Sequence, residues 1–249
     1  MSLVKDILSA GKTAIGATAS LRSPVDLLAD AGFDFLLFDT QHSPVEIKEL
    51  LPQVQAMMGR RAIPIIRVGG NDPALIVYAL DIGAKGIIIP MVNSKEEAIA
   101  AVRSCKYPPE GARSAAGVRG EWGEFKDFGE YMSIVNNNVL VIPMIETVEA
   151  LNNIDEILSV PGVDVLLVGP SDLSISLEIP LDYRNPKYQK TLDMIAGACK
   201  KAGVVPGMYF IPGGLDPNDF VARGFKFFTL RWNQWATTGI KNGLAKIDR

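Results

Sequence analysis

Cysteine is nearly absent from this chain of 249 residues. The two present, Cys105 and Cys199, fall in helix-like contexts without the spacing of metal ligands. A disulfide framework and a thiolate metal site are therefore not expected, and the thiols read as small buried side chains in a reducing cytosol. An excess of charge is also missing: 25 basic against 28 acidic residues leave a net −3, which gives no pull toward nucleic acid or an anionic membrane. No apolar run approaches the roughly 20 residues that a membrane helix needs. The opening Met-Ser-Leu-Val-Lys-Asp lacks the apolar core of a signal peptide, so a cytoplasmic location is expected. Two chemical signatures are absent as well. There is no Gly-x-Ser-x-Gly elbow for a serine hydrolase, and no Gly-rich fingerprint follows the first strand, as a doubly wound nucleotide fold would have it.

What is present is an ordinary globular composition, 48% hydrophobic and 21% charged, with apolar runs alternating with helical patterns. Strands are expected near Thr13–Ala17, Phe35–Asp39, Ala62–Arg67, Gly86–Met91, Val139–Ile145, Val163–Val168, Val204–Phe210 and Phe225–Leu230. Most are continuous β-branched or apolar runs, as expected of parallel strands covered on both faces. Ser43-Pro44-Val45-Glu46, Asp72-Pro73 and Ser94-Lys95-Glu96-Glu97 carry the residues of helix N-termini. Glycines at 32, 83 and 203 close helices before the next strand. Eight such units in this length predict a (β/α)₈ TIM barrel, with residues 1–249 as a single domain. The stretches Lys106–Lys126 and Glu178–Pro186 are expected to be irregular loops.

In such a barrel the chemistry lies at the C-terminal ends of the strands. Asp39 ends the second expected strand and His42 follows it, Arg67 ends the third, Glu146 follows the fifth and Asp172 the sixth. His42 is the only histidine and suits proton transfer near neutrality; its bland reading is a surface loop residue. Glu146 and Asp172 offer oxygen ligands for a hard cation such as Mg²⁺ or Mn²⁺, although Asp172 could instead cap a helix. Arg67 at the end of a buried strand needs an anionic or carbonyl partner, either a structural carboxylate or a substrate. A Schiff-base mechanism would need a desolvated lysine inside the barrel, and only Lys226 and Lys85 come near a strand.

Several segments resemble the HpcH/HpaI aldolase family: Phe38-Asp39-Thr40-Gln41-His42-Ser43-Pro44, Ile66-Arg67-Val68, Asp81-Ile82-Gly83-Ala84 and Pro90-Met91-Val92, then Tyr107-Pro108-Pro109-x-Gly111-x-Arg113, Ile145-Glu146-Thr147 and Val168-Gly169-Pro170-Ser171-Asp172-Leu173. The family contains class II pyruvate aldolases, with a barrel of the phosphoenolpyruvate/pyruvate type. The resemblance implies cleavage or formation of a 4-hydroxy-2-oxo acid from pyruvate and an aldehyde through a pyruvate enolate. It implies that Glu146 and Asp172 hold a divalent metal (Mg²⁺, Mn²⁺ or Co²⁺) that chelates pyruvate. Arg67 would donate to the keto oxygen, with Gly169, Pro170 and Ser171 also on the substrate. His42 would move protons at the aldehyde or alcohol oxygen, directly or through water. Asp81 matches an aspartate that pairs with this histidine from a neighbouring subunit, in keeping with the family's hexamers, and Asp39 is a second candidate to orient it. Rival readings are oxaloacetate decarboxylation or cleavage of an acyl-CoA 3-carboxylate through the same enolate, and a metabolite-binding barrel without catalysis.

The chain departs from the family pattern at Met144, where many members carry glutamine, and at Leu230-Arg231-Trp232, where a Gly-x-Asp turn is usual. Both bear on the far end of the substrate. Arg119 and Trp122, in a loop that also differs, are candidates to select the aldehyde or to pack an interface.

Overall fold

A computed structural model of the protein describes residues 3–116 and 120–247. The elements run α1 (Leu3–Ser9), β1 (Ala14–Ala19), α2 (Val25–Asp30), β2 (Phe35–Asp39), a 3₁₀ turn (Ile47–Leu50), α3 (Leu51–Ala56), β3 (Ile63–Arg67), α4 (Pro73–Asp81), β4 (Gly86–Ile89) and α5 (Lys95–Cys105). They continue with α6 (Phe128–Asn138), β5 (Leu140–Ile145), α7 (Val148–Asn152), α8 (Ile154–Leu158), β6 (Val165–Val168), α9 (Pro170–Ser176), α10 (Pro186–Ala202), β7 (Val205–Met208), α11 (Pro217–Ala222), β8 (Phe227–Leu230) and α12 (Trp232–Leu244). The strands pair in parallel and in order, and β8 returns to β1 to close the barrel. The (β/α)₈ expectation is borne out, with every strand within two residues of its expected bounds.

Side chains alternate across the wall of this sheet, because successive residues of a strand point to opposite faces. One set (Phe35, Leu37, Ile63, Ile65, Ile88, Leu140, Ile142, Met144, Val165, Leu167 and Phe227) fills the interior as its own cluster. The other set joins the helices in a larger outer core. Gly16 sits on the inner face of β1 because the Phe35 ring occupies its side-chain space: a Cβ there would lie 2.2 Å from that ring. Phe35 in turn stacks on Phe227 with centroids 4.3 Å apart.

The caps at Asp72 and Ser94 form as expected, accepting from the N–H of Ala74 and of Glu97. The cap expected at Ser43 does not form. The turn after β2 begins at Ile47, where Glu46 and Glu49 make the capping box, so residues 41–46 stay an open loop. Between α5 and α6, and between α9 and α10, the described residues form no helix or strand, matching the two long loops. Arg119 lies outside the described residues. Both cysteines are buried and free, and burial pushes each thiol up to about 12. No helix among the described residues is long and apolar enough to cross a membrane.

Candidate active site

The inward ladder carries a residue two positions past the last interior apolar side chain of each strand. After Leu37 comes Asp39, after Ile65 comes Arg67, after Met144 comes Glu146, and after Leu167 comes Gly169. Period two therefore delivers charged side chains to the mouth, the end of the barrel formed by the strand C-termini. Met144 itself is an interior residue directly beneath Glu146, 1% exposed.

Arg67 is 4% exposed and pairs with the residue beside it in register, Asp39. Its Nε donates to Asp39 Oδ1 at 2.8 Å and its Nη2 to Oδ2 at 2.6 Å. Burial favours the neutral form of Asp39. The Arg67 hydrogen bonds and charge, with the Gln41 and His42 backbone, outweigh that and hold its carboxyl below the usual range. Asp39 thus orients Arg67 and anchors the His42 loop through the Gln41 N–H at 3.0 Å. Its place three residues before His42 makes it a candidate to orient the imidazole; the contacts it makes in the structure are to Arg67 and to the Gln41 N–H.

Glu146 is 2% exposed. Its Oε2 accepts the Met91 N–H at 3.0 Å, which Met91 presents from a left-handed backbone with φ of 55°. That conformation is rare for a side-chain-bearing residue and costs roughly 1–3 kcal/mol. Room for the carboxylate comes from Gly169, where a Cβ would fall 2.2 Å from Glu146 Oε1. Burial pushes the Glu146 carboxyl up; the Met91 N–H opposes this, and the negative charge of Asp172 adds to it. Asp172 is exposed in the first turn of α9, where Gly169 and not Asp172 is the N-cap. Ser171 Oγ lies 3.3 Å from the Tyr183 hydroxyl, and Pro170 is buried at the start of the helix. His42 is exposed in the open loop, near enough for its charge to be felt by Glu146.

A buried carboxylate destabilised by a second negative charge is an environment that a divalent cation relieves, so the residues fit such an ion. Among the described residues no group of three or more His, Cys, Asp or Glu side chains could hold one. A cation on Glu146 and Asp172 would therefore fill its shell with water and substrate oxygens, as hard cations in open sites do.

Other expected residues fall elsewhere. Asp81 ends α4, at the end of the barrel away from the mouth. Its Oδ1 accepts from Arg113 Nη2 at 2.8 Å, with 18% of the Asp81 side chain accessible. Within its own chain it does not meet His42. Trp122 is buried and lies under Lys85 Nζ, 5.0 Å from the ring centroid, also at the N-terminal end of the strands, so it does not line its own mouth. Lys85 and Lys226 stand just before β4 and β8, at that same end, which removes the Schiff-base alternative.

Residues 18–233 match HpcH/HpaI aldolase/citrate lyase. The chain belongs to that family. Within it, the chain is 34% identical to a 4-hydroxy-2-oxo-heptane-1,7-dioate aldolase of Klebsiella pneumoniae, the match covering 96% of each. It is 34% identical to a 5-keto-4-deoxy-D-glucarate aldolase of Citrobacter koseri, over 96% of this chain and 88% of the relative. A solved HpcH/HpaI aldolase/citrate lyase family protein from Burkholderia cenocepacia superposes with a TM-score of 0.86 at 28% identity, covering 99% of both chains. The expectation of a carbon–carbon lyase of the aldolase class is borne out by this HpcH/HpaI membership. Two site residues escaped sequence reasoning. Met91 was legible only as part of a motif, since nothing in its side chain announces a backbone donor. Tyr209, whose ring lies 4.1 Å from the Arg67 Cζ, was hidden just past β7, in a strand expected to continue to Phe210.

Proposed function

We propose that this protein is a divalent-metal pyruvate aldolase, working as one barrel domain in the cytoplasm, that splits a 4-hydroxy-2-oxo acid into pyruvate and an aldehyde and joins them in reverse. The observation that carries the reading is that two buried side chains of opposite charge, Arg67 at the end of β3 and Glu146 just after β5, share one mouth. The hard step is removal of a proton beside a carbonyl, which places negative charge on the keto oxygen. Arg67 retains donors beyond those given to Asp39 and would hydrogen-bond that oxygen as its charge grows. Glu146 and Asp172 would hold Mg²⁺, Mn²⁺ or Co²⁺, which when bound neutralises the same developing charge. The Gly169–Pro170–Ser171 segment, adjoining Glu146, would seat the pyruvate carboxylate. His42 would take the proton of the 4-hydroxyl during cleavage, while the enolate carbon takes one from water, and would return a proton to the new alkoxide during synthesis. An assembly of the hexamer kind would bring Asp81 of one copy to His42 of another, with Arg113 holding that aspartate in place.

The test is exchange of the pyruvate methyl protons for deuterium, followed by NMR, because it reports enolate formation before the aldehyde is known. Exchange is expected with added Mn²⁺, Co²⁺ or Mg²⁺, and its loss in excess chelator and in Glu146→Ala. Absence of exchange with all three ions would sink the proposal. Oxaloacetate run in parallel separates decarboxylation from aldol cleavage by its product rate.

A further inference from the structure

Arg67 is held by more than its carboxylate partner. The Tyr209 ring lies against the guanidinium, with the Arg67 Cζ 4.1 Å from the ring centroid. Tyr209 is the residue after β7, and its N–H donates to Val168 O at 3.0 Å, which carries the β6–β7 ladder one step further. It packs with the interior cluster together with Val205, so the same alternation that delivers Arg67 and Glu146 delivers this ring. Burial pushes its phenol up to about 12, and the ring stays neutral wherever an aldolase is assayed.

The two contacts do different things. Paired hydrogen bonds from Nε and Nη2 fix one edge of the guanidinium, but a planar group fixed along one edge can still rock about that edge. An aromatic face beneath it removes the rocking, since tilting the cation away from the ring gives up the cation–π attraction. With the edge and the face both set, the donors left over, two on Nη1 and one on Nη2, keep one direction.

We propose that Tyr209 is a positioning residue, whose ring face fixes the tilt of Arg67 so that its free donors meet the keto oxygen as it becomes an enolate. The assignment rests on the pyruvate reading above, in which Arg67 touches that oxygen. It concerns the face of the ring; the hydroxyl also interacts with Arg67, and Tyr209→Phe removes that interaction alone. It predicts a loss in turnover more than in pyruvate affinity, because a tilted donor is felt most where the charge is greatest.

The experiment is methyl-proton exchange of pyruvate by the metal-saturated protein, with kcat and KM measured for wild type, Tyr209→Phe, Tyr209→Leu, Arg67→Lys and the double variant Tyr209→Leu/Arg67→Lys. Tyr209→Phe keeps the face and should stay within about twofold of wild type. Tyr209→Leu should lose about tenfold in kcat with KM nearly unchanged, the size of one partly buried cation–π contact. In the Arg67→Lys background the leucine should cost little more, because lysine has no plane to be tilted. Tyr209→Met takes the place of leucine if that variant does not fold. Wild-type turnover in Tyr209→Leu, equal damage from phenylalanine and leucine, or losses that simply add in the double variant would each overturn the assignment. Where Arg67→Lys leaves no measurable turnover, the comparison of phenylalanine with leucine decides alone. Full activity in Arg67→Lys would instead sink the role given to Arg67 itself, which separates the two failures.

Discussion

At the scale of single residues, the mouth is built from charges that need one another. Arg67 is buried in a position that only a partnered cation tolerates, and Asp39 is that partner. Taking the carboxylate away leaves a buried guanidinium without its counter-charge, so Asp39→Ala is expected to cost about 3 kcal/mol of unfolding free energy near neutral pH. The dependence on pH follows from the lowered folded-state value of Asp39. Its contribution is complete above the unfolded carboxyl value of about 4 and is lost as the pH falls through the still lower folded value. Urea unfolding of both proteins from pH 7 down to pH 2.5 should show the gap between them closing only in the acid range below about pH 4. A gap that stays constant through that range would mean the stability difference does not come from the charged pair. Most of these residues were legible in the sequence because charge at the end of an apolar strand is conspicuous. Their pairing was not. Asp39 stands three residues from His42 in the chain, yet strand register sets it beside Arg67, and register is a property of two strands that neither one displays alone.

At the scale of elements, the helices show which local signals suffice. Ser94 and Asp72 each precede a run that can turn helical at once, and both cap. Ser43-Pro44 has the same appearance, but the cap falls three residues later, where Glu46 and Glu49 satisfy each other's amides, and the segment carrying His42 is left free of the helix. Ser94→Ala should therefore lose about 1 kcal/mol, whereas Ser43→Ala should stay within about 0.5 kcal/mol of wild type. Thermal unfolding of the two variants side by side checks this, and equal losses would contradict the capping assignment. The strand ends were legible to within two residues because buried parallel strands read as apolar runs. The early stop of β4 was not, since the left-handed turn at Met91 serves the carboxylate of another strand and leaves no mark in its own.

At the scale of the whole molecule, the barrel was predictable from eight repeated units, but its interior depends on complementary sizes that no single strand reveals. Gly16 is the example. Its backbone is ordinary, and its lack of a side chain matters only because Phe35 projects across from β2 and stacks on Phe227 from β8. Gly16→Ala should overpack this layer and cost about 1–3 kcal/mol, while the mouth, at the other end of the strands, keeps its pyruvate exchange rate per folded molecule. Calorimetric unfolding together with the exchange assay measures both halves of that statement. A variant as stable as wild type would show that the interior can yield where the ring now sits.

Gly169 carries a consequence of a different order. The hollow that admits the Glu146 carboxylate exists only while position 169 bears no carbon beyond its backbone. The acid and the gap beside it are in that sense a single inherited choice written in two places. A lineage that exchanged either alone would displace the oxygen atoms on which the chemistry turns.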